Sequence, residues 1–198
     1  MADDMDALRE TLVWQQFRRG DMEAFAALFE ETADRLFCYG MKFTNDRELV
    51  KDAVQDVFVK LYQTREKLPD VGKPVFYLFK ILKNTLIDAM RKREKTVYME
   101  DGGLPFYVEF ALDGDCDAGA AEDYEKKEKF DKVIALLTGR QKEAVYLRFH
   151  AGLSYDEIAE LLGINGQSAR NLVHRVMEKV RREMDSGAFI VCFLYALR

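Results

Sequence analysis

Apolar residues recur along this chain at intervals of three and four, and nowhere in strict alternation, so the pattern predicts helices and no large sheet. The first predicted helix covers about 7–19, and the second starts after Asp21, a good N-cap, with Phe25, Leu28, Phe29, Leu36 and Phe37 on one face. A third opens at Asn45-Asp46-Arg47-Glu48, where Asn45 is placed to cap and Glu48 to reach back; its stripe is Leu49, Ala53, Val57 and Leu61. A fourth begins at Lys73-Pro74, with proline at the favoured first position, and runs inward through Val75, Leu78, Phe79, Leu82, Leu86 and Met90. Further along, 122–137 presents Phe130, Val133, Ile134 and Leu137 on one face. Thr138-Gly139-Arg140-Gln141 and Ser154-Tyr155-Asp156-Glu157 are two capping-box sequences, separated by a turn around Gly152. Gly163 and Asn165 then end one helix and cap the next, which runs to about 185. The expected fold class is all-α, in two small helical domains.

Between them, 96–121 reads as an acidic flexible linker, leaving domains at 1–95 and 122–186 and an apolar tail at 187–198. The linker holds Gly102, Gly103, Pro105, Gly114 and Gly119 with Asp113, Asp115 and Asp117; Phe106, Tyr107, Phe110 and Leu112 interrupt it, so part of it is suited to docking on a surface. Charge sharpens this division. The net charge of −5 argues at first against a polyanionic partner, yet residues 1–95 balance at 17 basic and 17 acidic side chains. Residues 96–125 carry nine acidic and no basic ones, and 126–198 carry 13 basic against nine acidic. The flanks are therefore neutral and basic, and local patches decide polyanion binding.

Candidate chemistry is sparse. Cys38, Cys116 and Cys192 are odd in number and lack metal-ligand spacing, which suits free thiols in a reducing cytoplasm. The acidic opening 1–6 is no signal peptide, and the apolar run 188–197 is too short to span a bilayer, so a cytoplasmic protein without membrane insertion is expected. His150 and His174 have no spaced partners, and neither a glycine-rich phosphate loop nor a G-x-S-x-G elbow occurs, so no enzyme and no cofactor are expected.

The surface left by the helical stripes is more informative. The stretch 141–184 has the helix–tight turn–helix form that sets a second helix in a major groove, with small Ala159 allowing a close crossing. With Val173, Val176 and Val180 inward, Gln167, Ser168, Arg170, Asn171, His174 and Arg175 face outward, and Lys179, Arg181 and Arg182 extend the basic face. Gln, Asn and Arg side chains read base edges, while Arg and Ser also hold phosphates. On the fourth helix, Tyr77, Lys80, Asn84, Asp88 and Arg91 form a stripe opposite the core, with Lys73 and Phe76 beside it. An aromatic among cations suits unpaired bases; an ordinary solvated helix ending in basic residues has the same composition. The outer face of the third helix, with Lys51, Asp52, Gln55, Asp56, Val59, Lys60 and Gln63, is mixed in charge and suits either solvent or a protein partner.

The order of these pieces is the specific signal. Arg19-Gly20-Asp21, DAVQDVFVKLY (52–62), VFYLFKILKNTLIDAMRKREK (75–95) and LSYDEIAELLGINGQSARNLVHRVMEKVRREM (153–184) together resemble the two-domain sigma factors of the extracytoplasmic-function group, in the sigma-70 family of bacterial transcription initiation factors. The resemblance implies a protein that binds core RNA polymerase, through the β′ clamp helices and the β flap, and directs it to promoter DNA. It assigns Asp52, Gln55, Asp56 and Phe58 to the polymerase interface or its support. It puts Lys73, Tyr77, Lys80, Asn84, Asp88 and Arg91 at the melted −10 element, and Gln167, Ser168, Arg170, Asn171, His174, Arg175 and Lys179 at the −35 duplex. It also implies an anti-sigma partner, and a linker that threads along the polymerase with its acidity mimicking nucleic acid. The sequence departs from the family pattern at Thr138, Gly166, Gln167 and Leu172, and in the tail GAFIVCFLYAL (187–197), which suits packing on the last domain or docking. The competing readings are a DNA-binding regulator with an N-terminal helical dimerisation or sensing domain, and a protein-binding adaptor. Neither needs the basic-aromatic fourth helix.

Overall fold

The computed structural model describes residues 2–93, 104–108, 128 and 130–183, with side chains from residue 8 onward. Expectations for the tail 187–198, for most of the acidic stretch, and for Cys116 and Cys192 lie outside the described residues. The described residues are helical, without strands, and the chain divides into two compact units between Thr96 and Val97.

In the first unit, α1 (Ala2–Arg18), α2 (Met22–Met41), α3 (Arg47–Thr64) and α4 (Pro74–Lys92) follow one another, with a single 3-10 turn, Arg65–Lys67, after α3. The Arg19-Gly20-Asp21 turn acts as one capping device. Gly20, at φ +95°, ends α1 in a Schellman arrangement: its N–H donates to the Phe17 carbonyl (2.9 Å), and the Asp21 N–H to that of Gln16 (3.1 Å). Asp21 then caps α2, accepting from the N–H groups of Glu23 (2.9 Å) and Ala24 (3.2 Å).

At α3 the structure corrects the expected cap. Asp46, not Asn45, accepts from the Leu49 N–H (3.1 Å), and its own N–H donates to the Thr44 hydroxyl (3.2 Å). The second Asp46 oxygen takes Arg93 from the end of α4 at 3.2 Å. A carboxylate serves the helix amide and the guanidinium together, which a neutral amide does less well.

The expected stripes of α3 and α4 are buried, together with Trp14 and Phe17 of α1. Those of α2 divide: Leu28 and Leu36 are core residues, Phe25 and Phe37 are half-buried, and Phe29 is 45% exposed.

The second unit contains a helical run 130–135 (α5), α6 (Gly139–Phe149), α7 (Tyr155–Leu162) and α8 (Gly166–Glu183). Both capping boxes form. Gln141 N–H donates to Thr138 Oγ1 (3.3 Å) and Thr138 N–H to Gln141 Oε1 (3.2 Å); Ser154 N–H donates to Glu157 Oε2 (2.7 Å) and Glu157 N–H to Ser154 Oγ (3.4 Å). The core gathers Phe130, Val133, Leu137, Val145, Val176 and Val180. Residues 104–108 belong to this unit too: Pro105 and Phe106 are buried, the Phe106 ring lies 5.6 Å from that of Tyr146, and Val108 packs against the core cluster.

Candidate nucleic-acid interface

The second unit's outward surface follows from the turn between α7 and α8. Gly163 takes φ +63°, its N–H donating to Glu160 O (3.3 Å) and that of Ile164 to Ala159 O (2.9 Å), which repeats the device at Gly20. Asn165 then caps α8, accepting from the Ser168 N–H at 2.7 Å. Ala159 and Ala169 are buried at the crossing, and the Arg140 guanidinium donates to the Leu162 carbonyl at the end of α7, where a cation also suits the helix dipole.

These constraints leave Gln167, Arg170, Asn171, His174 and Arg175 exposed on one side of α8, with Ser168 half-buried. Gln167 Nε2 donates to Asn171 Oδ1 (3.0 Å), and His174 lies 3.6 Å from Glu178. Lys179 differs from the rest: half-buried, its ammonium donates to the Leu136 carbonyl (3.0 Å), so it ties α8 to the end of α5.

Sequence reasoning missed a stack beside this surface. The Tyr155 ring has Arg148 at 4.9 Å and Arg170 at 5.1 Å from its centroid. Arg148 also donates to the Leu153 carbonyl (2.9 Å), so this guanidinium is fixed at both ends. The signal available was the aromatic inside the capping box; which cations it meets depends on the fold.

In the first unit, Lys73, Asn84, Asp88 and Arg91 are exposed, and Tyr77 and Lys80 half-buried. Tyr77 meets the edge of Trp14, with ring centroids 5.5 Å apart. Helix α1 braces the loop 68–73 that leads into α4: Trp14 Nε1 donates to Pro69 O (3.1 Å), Thr11 Oγ1 to Gly72 O (3.1 Å), and Arg18 pairs with Asp70 at 3.5 Å. This role of α1 was also missed. Its only signal was the chain's one tryptophan.

Helix α3 does not present its four singled-out residues together. Asp52 and Asp56 line a mixed-charge groove of about 800 Å³ against α4, where Asp88, Lys60, Lys92 and Arg93 join them. Gln55 and Phe58 line the other side, a groove of about 900 Å³ against α2 walled by Phe25, Phe29, Phe37, Val59 and Tyr62. Phe58 itself is only 4% exposed and meets the Phe29 ring edge-on at 4.8 Å. Among the described residues no group of His, Cys, Asp or Glu is placed to hold a metal ion, and no helix is long and apolar enough to cross a membrane.

Both units match a known family. Residues 28–96 match the family description "Sigma-70 region 2", and residues 127–180 match "Sigma-70, region 4". The chain is 26% identical to the extracytoplasmic-function (ECF) sigma factor SigW of Bacillus subtilis (strain 168), over 86% of this chain and 94% of that protein. It is 21% identical to SigK of Mycobacterium ulcerans (strain Agy99), over 94% and 96%. Among solved structures, the fold is similar to that of the sigma factor RpoE from Bartonella quintana, crystallised with the anti-sigma factor NepR, with a TM-score of 0.56, 22% identity, and coverage of 82% of this chain and 98% of that one.

Proposed function

The chain belongs to the sigma-70 family, in its extracytoplasmic-function group, and we propose from that premise how its two units divide promoter recognition. It is a transcription initiation factor that binds core RNA polymerase and directs it to promoters. In our reading the second unit takes the −35 duplex through Gln167, Ser168, Arg170, Asn171, His174 and Arg175. The observation that carries this is the Arg148–Tyr155–Arg170 stack, which holds two guanidiniums beside the one exposed polar stripe of α8. Arg148 joins the set as a phosphate contact. Lys179, engaged with the Leu136 carbonyl, serves the fold first and DNA second.

The first unit takes the melted −10 element along Lys73, Tyr77, Lys80, Asn84 and Arg91, next to the braced loop 68–73. Asp88 is reassigned. Beside Asp52 and Asp56 it adds a third carboxylate to the α3–α4 groove, where Lys60, Lys92 and Arg93 balance the three, a mixed-charge lining that suits a protein surface of mixed charge better than a run of phosphates. That groove is our site for the β′ clamp helices, with the β flap left to the second unit. The apolar α2–α3 groove suits a partner helix bearing apolar side chains, and we assign it to an anti-sigma factor, since the Bartonella relative is bound to one. A plain DNA-binding regulator has no need of a braced loop ahead of α4.

The test is reconstitution with core RNA polymerase on a library of promoters. The chain is expected to co-elute with core and support transcription from one promoter class. Arg170→Ala is expected to cost about 1–3 kcal/mol of −35 binding while leaving core binding intact. Tight binding to duplex DNA alone, with no association with core, would sink the reading.

A further inference from the structure

The outermost line of α8 contains a side-chain pair locked to itself. With about 100° per residue along a helix, Gln167 and Asn171 point almost directly away from the buried stripe of Ala169, Val173, Val176 and Val180, and Arg170 and Arg175 stand to either side of them. Both amides are exposed and lie in the first two turns, the part of such a helix that meets base edges. The flanking guanidiniums are placed for the walls of a groove, and Arg170 is held there by the Tyr155 ring. Further along the same line Glu178, 3.6 Å from His174, sets a carboxylate that phosphates would repel, so base contact is confined to the start of the helix.

Gln167 Nε2 donates to Asn171 Oδ1 at 3.0 Å, one turn apart. A carboxamide turned one way offers an acceptor where, turned the other way, it offers a donor, and only a partner decides between the two. Here the donor from Gln167 fixes Asn171 with Oδ1 facing Gln167 and Nδ2 facing away. Nδ2 has no partner among the described residues, and Oδ1 keeps its second lone pair. An acceptor and a donor thus stand side by side in a fixed order. In the major groove adenine presents N6 as a donor and N7 as an acceptor, which this order matches; guanine presents O6 and N7, both acceptors, and would set O6 against Oδ1. We propose that Asn171 reads an adenine in the −35 duplex, and that Gln167 is a positioning residue that holds the asparagine amide in the adenine-reading sense. The inference rests on the assignment of α8 to the −35 element proposed above. Gln167 is one of the positions at which the sequence departs from the family pattern, so the couple bears on this chain's own promoter preference.

The experiment measures base preference rather than affinity. Holoenzyme reconstituted from core RNA polymerase and the full chain selects promoters from a library randomised through the −35 element, and the recovered sequences give the preference at each position. The unaltered chain is expected to prefer adenine at one position about tenfold, the scale of a bidentate base contact. Asn171→Ala should flatten that position and leave the others as they were. Gln167→Ala should weaken the same preference about threefold, the scale of one hydrogen bond. Gln167→Glu, whose carboxylate can only accept, should draw Asn171 Nδ2 to itself and turn the amide over, so that adenine loses at that position and cytosine, which offers a donor, gains. A role confined to steadying the helix would shift thermal unfolding and scale the recovery of all sequences alike. That outcome overturns the proposal, as does a response to Gln167→Ala at a different position from that of Asn171→Ala. Arg170→Ala separates the amide couple from the reading beneath it. If Arg170→Ala weakens −35 binding to every sequence while Asn171→Ala leaves every preference unchanged, only the adenine reading fails. If neither variant alters −35 binding or preference, the assignment of α8 to the −35 element fails with it.

Discussion

The two units present their candidate DNA-binding surfaces by different means. In the second, the surface is one helix, and neighbours in sequence set its direction: Gly163 and Asn165 at its start, Ser154 and Glu157 one helix earlier. In the first, the surface is a loop and the helix after it, and a distant element holds them: Trp14 and Thr11 of α1 reach carbonyls 55 and 61 residues further along the chain. Local devices are individually modest and separable. A remote brace concentrates its effect in a few side chains, so a single substitution there should do more damage.

Trp14→Ala tests that contrast most severely. Deleting a fully buried aromatic costs about 3–5 kcal/mol, and here also frees the Pro69 carbonyl and the loop before α4. Differential scanning calorimetry should show the first unit's transition falling sharply and the second's unchanged, with promoter opening lost before −35 binding. Trp14→Phe should keep most of the packing and lose about 1 kcal/mol, the net worth of a hydrogen bond. If both transitions fell together, the units would not be independent.

A smaller effect is expected in the second unit. Gly163→Ala places a Cβ at φ +63°, which costs about 1–2 kcal/mol. Urea unfolding should show the loss in that unit alone, and −35 binding should weaken through misdirection of α8. An unchanged midpoint would mean that the turn relaxes and that local chemistry is not what aims the helix.

Smallest in stability is Tyr155→Leu, which keeps apolar bulk and removes the ring between Arg148 and Arg170. Each cation–π contact is worth about 0.5–1 kcal/mol at such a site. The expected signature is nearly unchanged unfolding with weaker −35 binding, read by fluorescence anisotropy. A large stability loss without a binding loss would make the stack purely structural.

The same contrast explains what the chain disclosed as sequence. Thr138 with Gln141, Ser154 with Glu157, Gly163 with Glu160, and Asn165 with Ser168 were legible because each pair closes a hydrogen bond within a few residues. The start of α3 was misplaced by one residue because Asn45 and Asp46 are both competent caps, and the choice involves Arg93, 47 residues away. Phe25, Phe29 and Phe37 have core-like spacing, but helical period marks a face without saying how deep it lies; here it lines an open groove. The Trp14 brace, the seated Phe106 and the Arg148–Tyr155–Arg170 stack were illegible because each joins side chains that only the fold makes neighbours.

Gly166, a departure from the family pattern at the first position of α8, has a consequence for how this surface can change over generations. The Asp156 carboxylate occupies the place where a Cβ on residue 166 would stand, an internal anion against a helix start that favours negative charge. Because that carboxylate is the free end of a side chain, a substitution at 166 would turn it aside rather than break the fold. The first turn of α8 can therefore accept a side chain at this position at the cost of moving one carboxylate, so this end of the surface can vary in sequence while the fold is kept.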